Sequence, residues 1–331
     1  MDYKRPTYRA LKHLFSIVCI LAMVSCTWVK DDTDDCPYGF WLKLHYSYNI
    51  LDVEAAPKYV QDAYVYVYDA DGKYIKRIFA TQDALKSDNY KVRVEGLPEG
   101  DYQFVVWSGI GNSEYAVSSD TQMFDDFRLS LVGADAGYSQ ELPDLYYGYL
   151  PKVHFDDSYA TYDVELMKNT NQLSCLAVAL SDDTEMNPDD FDMRVVTANG
   201  TMDARNQLVS DAEITYTPFV KDSVTFEDVD YGTLHGVQFS ISTLRLLKDT
   251  DCRVILERKS SGQNVFNVSI PEYIGMIGSL YTNLGRKLTV QEYLDRQDFY
   301  TIVFYLSGDL DKLLQLRVNS WRLRSINHLK L

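Results

Sequence analysis

The chain has 331 residues, with 32 Lys and Arg against 48 Asp and Glu, for a formal net charge of −16. At roughly 150 residues per domain this length suggests two domains, each large enough to bury its own core. With 46% hydrophobic and 24% charged residues the composition is that of a globular protein, and the acidic excess argues against nucleic acid and anionic lipid surfaces, which need clustered Lys and Arg.

The first 13 residues carry Lys4, Arg5, Arg9 and Lys12 against a single acid, Asp2. Leu14–Val24 follows, apolar except for Ser16. That run is shorter than the about 20 residues a helix needs to cross a bilayer, and with its basic flank it has the form of a secretory signal over residues 1–25. It ends in Met23-Val24-Ser25-Cys26, which resembles the lipobox of bacterial lipoproteins. The resemblance implies cleavage between Ser25 and Cys26 and diacylglycerol on the Cys26 thiol. Asp31, Asp32, Asp34 and Asp35 then make residues 26–35 a solvated, self-repelling tether, without the Gly and distal Glu that a calcium loop requires. The run is also similar to the acidic signal that exports some Bacteroidota lipoproteins to the cell surface.

From Trp41 onward the pattern is one of strands. Trp41–Tyr48 alternates, and Tyr64-Val-Tyr-Val-Tyr68 places three Tyr on one face and two Val on the other. Asp69-Ala-Asp-Gly72 supplies a turn and Lys73–Phe79 returns, forming a hairpin. Tyr90–Val94, the turn Leu97–Tyr102 and Gln103–Trp107 suggest a second hairpin-like unit. The signal loosens between Ser108 and Pro151, where Gly, Ser and Asp are spread among aromatics such as Tyr146-Tyr147-Gly148-Tyr149. It returns at Tyr162–Leu166 and Leu173–Leu180, with the polar break Lys168-Asn169-Thr170-Asn171 between them marking a domain boundary. Phe191–Val196, Ile214–Tyr216, Val237–Ile241, Arg253–Glu257 and Val265–Ile270 continue the series, the last two joined by the turn Ser260–Gln263. Thr289-Val-Gln-Glu292 is a capping box that opens one short helix, after which Tyr300–Leu306, Leu314–Val318 and Trp321–Leu323 are strand-like. The pattern defines two all-β sandwich domains, 36–168 and 169–331.

Catalytic and metal signatures do not emerge. Histidines 45, 154, 235 and 328 are scattered, Gly109-Ile-Gly111 lacks the rest of a nucleotide fingerprint, and no Walker motif, His-Glu-x-x-His or nucleophile elbow occurs. Cys36, Cys175 and Cys252 allow at most one disulfide, and Cys175 sits in an apolar strand as a small core residue. No enzyme activity, cofactor or metal is expected.

Asp34-Asp-Cys-Pro-Tyr-Gly39, Ala63–Tyr68 with its Asp-Gly turn, Leu97-Pro-Glu-Gly-Asp-Tyr102, Val105-Val-Trp-Ser-Gly109, Leu288–Arg296, Tyr300–Leu306 and Leu316–Arg324 occur in this order. Together they resemble the FimB-type fimbrial anchor family, lipoproteins that hold type V fimbriae of Bacteroidota. The resemblance implies two tandem transthyretin-like or immunoglobulin-like sandwiches, a non-catalytic role at the outer membrane, and other fimbrial subunits as partners. Members of the wider superfamily assemble by strand addition, which makes Leu314, Leu316 and Val318 a candidate interface strand beside the simpler reading as the last strand of the second sandwich. No strong Arg- or Lys-marked processing site lies between the tether and the first domain, which favours an anchor over a stalk subunit. Stalk or tip fimbrillins share the fold, and a glycan-binding surface lipoprotein using Tyr146–Tyr149 as a platform is the other reading.

Overall fold

The computed structural model describes residues 38–118, 123–156, 160–181, 184–209, 212–271, 273–274 and 285–319. In the N-terminal half the strands are β1 (Gly39–His45), β2 (Asp62–Asp69), β3 (Tyr74–Thr81), β4 (Lys91–Glu95), β5 (Gly100–Ser108), β6 (Tyr115–Val117), β7 (Arg128–Leu131), β8 (Tyr146–Phe155), β9 (Thr161–Glu165) and β10 (Met167–Lys168). Then come β11 (Thr170–Ala179), β12 (Phe191–Thr197), β13 (Thr201–Asp203), β14 (Ile214–Tyr216), β15 (Val220–Asp228), β16 (Gly232–Leu244), β17 (Cys252–Arg258), β18 (Gln263–Ser269), β19 (Phe299–Leu306) and β20 (Leu313–Val318). Short helices punctuate them, among them α1 (Ala56–Tyr59), α2 (Gln82–Ser87) and α3 (Val290–Arg296). The all-β expectation holds.

In the N-terminal half a three-stranded sheet, β4-β1-β9, faces a five-stranded one, β10-β8-β5-β2-β3. Phe40, Leu42 and Leu44 of β1 and Val92 and Val94 of β4 meet Val65 and Val67 of β2 and Phe104 and Val106 of β5 in one buried cluster. The five-stranded sheet has a second buried face. There Tyr66, Tyr68, Val105, Trp107 and Tyr147 pack against Phe124, Phe127 and Leu129. This middle position explains why Tyr64–Tyr68 alternates between two apolar residue types: its valines enter one core and its tyrosines another. Each such side chain contributes on the order of 1.5–3 kcal/mol through burial.

The C-terminal half pairs the sheet β15-β16-β11-β19-β20 with the sheet β14-β12-β17-β18. Leu173, Cys175 and Ala177 of β11 and Ile302 and Phe304 of β19 face Met193 and Val195 of β12 and Val254 and Leu256 of β17. A fifth sheet, β13-β7-β6, draws strands from both halves. The tyrosine-rich core of the N-terminal half runs on into the C-terminal core, and the described residues from Gly39 onward belong to one compact unit.

The Asp69–Gly72 turn is a hairpin, with Asp69 Oδ1 accepting from the amides of Asp71 (3.0 Å) and Lys73 (2.8 Å). The turn Ser260–Gln263 joins the antiparallel pair β17 and β18. Thr289 caps α3 as expected, its Oγ1 accepting from the Glu292 amide at 3.1 Å, while the Glu292 carboxylate accepts from Arg286 and Arg296.

Two expectations change. β4 and β5 are not a hairpin: β4 pairs with β1, whereas β5 pairs with β2 and β8. The Leu97–Gly100 connection therefore crosses between layers, and Val92 and Val94 look across the core at Phe104 and Val106. Apolar alternation on two successive strands is the same for side-by-side and face-to-face packing. The chain also has more than one helix among the described residues, because Thr81 caps α2 through the Ala84 amide at 3.3 Å. At six residues, α2 is too short to show a helical period.

Candidate interface at the edge of the C-terminal sheet

β20 is the final strand among the described residues and an edge of its sheet. Among the described residues it pairs with β19 alone, antiparallel, through Ile302↔Val318, Val303↔Arg317, Phe304↔Leu316 and Tyr305↔Gln315, and then slips to Leu306↔Leu313. The slip makes Leu314 a bulge residue, 55% exposed. The simple alternation of Leu314, Leu316 and Val318 is thereby broken. Leu316 and Val318 pack on the main core beside Phe304 and Ile302, whereas Leu314 stands out at the surface.

Main-chain polarity follows from the ladder. The Asn319 amide donates to the Thr301 carbonyl at 2.8 Å, and the Thr301 amide donates to Asn319 Oδ1 at 2.8 Å. Alternation in an antiparallel pair then turns the N–H and C=O groups of Gln315 and Arg317 toward β19 and those of Leu316 and Val318 toward the open edge. An open edge of this kind accepts another extended chain.

The outer face of β20 is held by the tip of the β15–β16 hairpin. Asp228, at the end of β15, is 6% exposed. Its Oδ2 accepts from the Tyr305 hydroxyl (2.6 Å) and from Arg317 Nη1 (3.1 Å), and its Oδ1 accepts from the amides of Asp230 (2.8 Å) and Tyr231 (3.1 Å). Burial alone would raise the pKa of this carboxyl. The Tyr305 hydroxyl, the Asp230 amide and the Arg317 guanidinium outweigh burial and hold it below the usual carboxylate value. Arg317 also pairs with Asp230 and lies 5.1 Å from the Tyr305 ring centroid. The Tyr231 hydroxyl donates to Gln315 Oε1 at 2.9 Å. Beneath this lid Leu176, Val178, Leu234, Val303 and Tyr305 form a small separate core. The turn chemistry of Asp228-Val-Asp-Tyr-Gly232 is legible in the sequence, but its partners lie 77 and 89 positions away and carry no local signal.

The remaining candidates are scattered. Tyr146 and Tyr147 are 1% and 7% exposed, with Tyr146 bonded to Asp144 at 3.0 Å and Tyr147 to the Ala204 carbonyl at 2.9 Å, so the Tyr146–Tyr149 run is not an exposed aromatic platform. His45, His154 and His235 lie apart, each with its own side-chain partner. Cys175 and Cys252 are buried free thiols, and burial pushes the Cys252 thiol up to about 12. Among the described residues no group of three His, Cys, Asp or Glu side chains is arranged to hold a metal. Ser25, Cys26, the tether, Cys36, Trp321–Leu323 and His328 lie outside the described residues.

Where the two halves meet, buried polar groups knit them together. Lys168 bridges Asp144 (2.8 Å) and Asp298 (3.0 Å) beside a cleft of about 530 Å³. Asn169 and Asn206, both buried, exchange amide hydrogen bonds. Arg296 of α3 reaches the Asn49 carbonyl (3.1 Å) and Asp52 (3.0 Å) and stacks 4.2 Å from the Tyr48 ring centroid.

The described residues build an all-β protein of paired sandwiches. The family model for fimbrillin-A associated anchor proteins Mfa1 and Mfa2 matches residues 33–327, and the chain belongs to that family. No curated protein matches it. Among solved structures, a Bacteroides thetaiotaomicron protein described as a candidate polysaccharide-binding protein is 28% identical, with a TM-score of 0.73 over 88% of this chain and 99% of that one. A candidate adhesin from the same species is 24% identical, with a TM-score of 0.76 over 88% and 100%. The fimbrial anchor protein Mfa2 of Porphyromonas gingivalis is 16% identical, with a TM-score of 0.64 over 88% and 100%. The last two are likenesses of fold. Membership of the family gives the chain a fimbrial role.

Proposed function

We infer that this chain is the lipid-anchored subunit that attaches a type V fimbria to the outer membrane, without catalysis, through contacts made at a sheet edge. The family match across residues 33–327 carries the reading. In it, cleavage behind Ser25 leaves lipid on Cys26, residues 26–35 are the tether, and 36–168 and 169–331 are the two sandwiches at the surface-exposed base of the fimbrium. The lipid is physically apt. An acidic protein has no electrostatic hold on anionic lipid, whereas acyl chains contribute about 0.8 kcal/mol per buried CH₂. Other fimbrial subunits are the partners, and β20 with Leu314, Leu316 and Val318 is the proposed contact strand.

Deleting the gene tests the role. Intact fimbriae shed into the medium mark an anchor, whereas loss of the polymer marks a stalk or tip subunit and overturns the reading. Cys26→Ala tests the lipid, since the variant should leave the membrane fraction. The polysaccharide-binding description of the 28% identical relative makes a glycan pull-down the natural control, and robust binding by the isolated protein would sink the anchor reading.

A further inference from the structure

We propose that β1 carries tension. When the fimbria pulls against the lipid, force enters the fold at Gly39 and runs lengthwise along β1, loading its ladders to β9 and β4 in shear. The inference rests on the anchor reading above and specifies how that anchor withstands pulling.

The path of the chain sets the geometry. The tether joins the fold at Gly39, the first residue of β1. β1 is the middle strand of its sheet, antiparallel to β4 and parallel to β9. β9 leaves at its other end, through β10, for β11 and the C-terminal half. Arg296 of α3 grips the same end, at the Asn49 carbonyl and Asp52 just beyond β1. Tension between tether and C-terminal half therefore enters β1 at Gly39 and leaves β9 beyond Glu165. In a parallel pair pulled from opposite ends the evenly spaced ladder bonds share the load, whereas a pair pulled from one end opens bond by bond. Shared loading places many bonds behind a single barrier, and that barrier governs forced unfolding.

Three kinds of contact oppose the sliding of β1. The first is the β9 ladder, Trp41↔Thr161 through His45↔Glu165, extended by the Trp41 amide on the Ala160 carbonyl (2.9 Å) and the Leu166 amide on the His45 carbonyl (2.7 Å). The second is the core. Phe40, Leu42 and Leu44 are 0% exposed, and the Phe40 ring lies 5.6 Å from that of Phe104 and 5.2 Å from that of Phe155, so sliding drags buried side chains past fixed neighbours. The third is a set of rivets at the far end of β1. The Glu165 carboxylate accepts from the amides of Ser47 (2.7 Å) and Tyr48 (2.8 Å) and from the Ser47 hydroxyl (2.9 Å). His45 sits between Glu54 (2.7 Å) and Asp163 (3.0 Å). A pull toward the tether draws Ser47 and Tyr48 away from Glu165 at the same moment as it strains the ladder.

Optical-tweezers pulling on the mature chain, made soluble by Cys26→Ala, tests this in two geometries. Both use the Cys36 thiol in front of β1 as one handle, and Cys175 and Cys252 are buried away from the labelling chemistry. In the tether geometry the second handle is Ser261→Cys. That turn, tied through Arg258 to the Asp309 carbonyl beyond the end of β19, is at the opposite end of the C-terminal sandwich from Thr170. In the peeling geometry the second handle is Thr161→Cys, opposite Trp41, so that β1 and β9 are pulled from one end. The tether geometry should sustain at least about twice the peeling force before β1 leaves, and a smaller ratio overturns the proposal. Glu165→Ala in both proteins is the second arm. It should lower the force in the tether geometry and leave the peeling force unchanged, because peeling opens the Gly39 end first. An equal change in both geometries, none included, overturns shared loading. These forces do not depend on lipid, so their failure leaves the anchor reading standing. Retention of the Cys26→Ala protein in the membrane fraction of cells removes that reading with the forces unaltered.

Discussion

Arg317 and Asp228 form a buried ion pair at 3.1 Å although their strands, β20 and β15, are opposite edges of the same five-stranded sheet. The contact closes only because the long β15–β16 hairpin curls its tip over the outer face of β19 and β20. Removing Arg317 leaves the buried Asp228 carboxylate without its counter-charge, which costs up to about 3–5 kcal/mol. Arg317→Met should therefore lower the thermal midpoint, and adding Asp228→Asn, which removes the charge but keeps a side-chain acceptor for the Asp230 and Tyr231 amides, should recover part of the loss. A single variant as stable as the parent would show that the pair contributes nothing.

The same carboxyl sets an acid limit. The folded-state pKa of Asp228 is lowered, so its contribution is present above the unfolded value of about 3.9 and is lost as pH falls through the folded value. Tyr305 and Arg317, the two side chains that donate to its Oδ2, both have raised pKa values and keep their protons throughout this range. Hydrogen exchange across 228–232 and 315–318 should accelerate below about pH 4, ahead of the strands of the N-terminal sandwich. Simultaneous acceleration in both regions would count against a local cause.

How much of this was visible beforehand depends on range. Tyr64–Tyr68, the Asp69–Gly72 turn and the Thr289 cap are local patterns whose partners lie a few residues away, and each formed as the sequence indicates. The β4–β5 crossover was not visible, since alternation does not say which layer a strand joins. The outward turn of Leu314 was not visible either, because a bulge is set by register against β19, not by the six residues of β20. The abundant tyrosines become intelligible only in three layers. Tyr115 reaches the Pro143 carbonyl at 2.5 Å and Tyr147 that of Ala204, so their rings fill a core while their hydroxyls satisfy buried backbone.

Gly109 closes the Val105-Val-Trp-Ser-Gly109 motif for a steric reason. Its φ is +91°, and a Cβ there would lie 2.1 Å from the Asp144 carbonyl oxygen. Its amide also donates to Asp62 Oδ1 at 2.7 Å, which pins the end of β5 to β2. Gly109→Ala must shift backbone as well as adopt a strained dihedral, and it should cost at least about 1–3 kcal/mol. Urea unfolding of the variant would show this as a lower midpoint, whereas an unchanged midpoint would mean that the Asp144 segment gives way freely.

Arg296 ties the loop after β1 to α3, and its removal should free that loop without unfolding either sandwich. The guanidinium is 8% exposed, accepts the stack of Tyr48, and donates to Glu292, Asp52 and the Asn49 carbonyl. The loop itself is anchored independently by Glu54, which takes the amides of Tyr46 (3.1 Å) and Ala56 (2.8 Å) and pairs with His45 at 2.7 Å. With Arg296→Met, Glu54 still holds both ends of the loop, so only Tyr48–Asp52 is released. Leu51, already 68% exposed, should then become a preferred site for a protease that cuts after large apolar residues, at least tenfold faster than in the parent. His45 modulates the effect. Burial lowers its pKa, but the Glu54 and Asp163 carboxylates outweigh burial and raise it, so its support is complete below about pH 6.5 and is lost as pH rises through the folded value. Cleavage of the Arg296→Met protein should accordingly quicken from pH 6 to pH 8 by more than the protease's own pH dependence, measured on an unstructured peptide, accounts for. A flat ratio between the two substrates would show that His45 does not hold the loop.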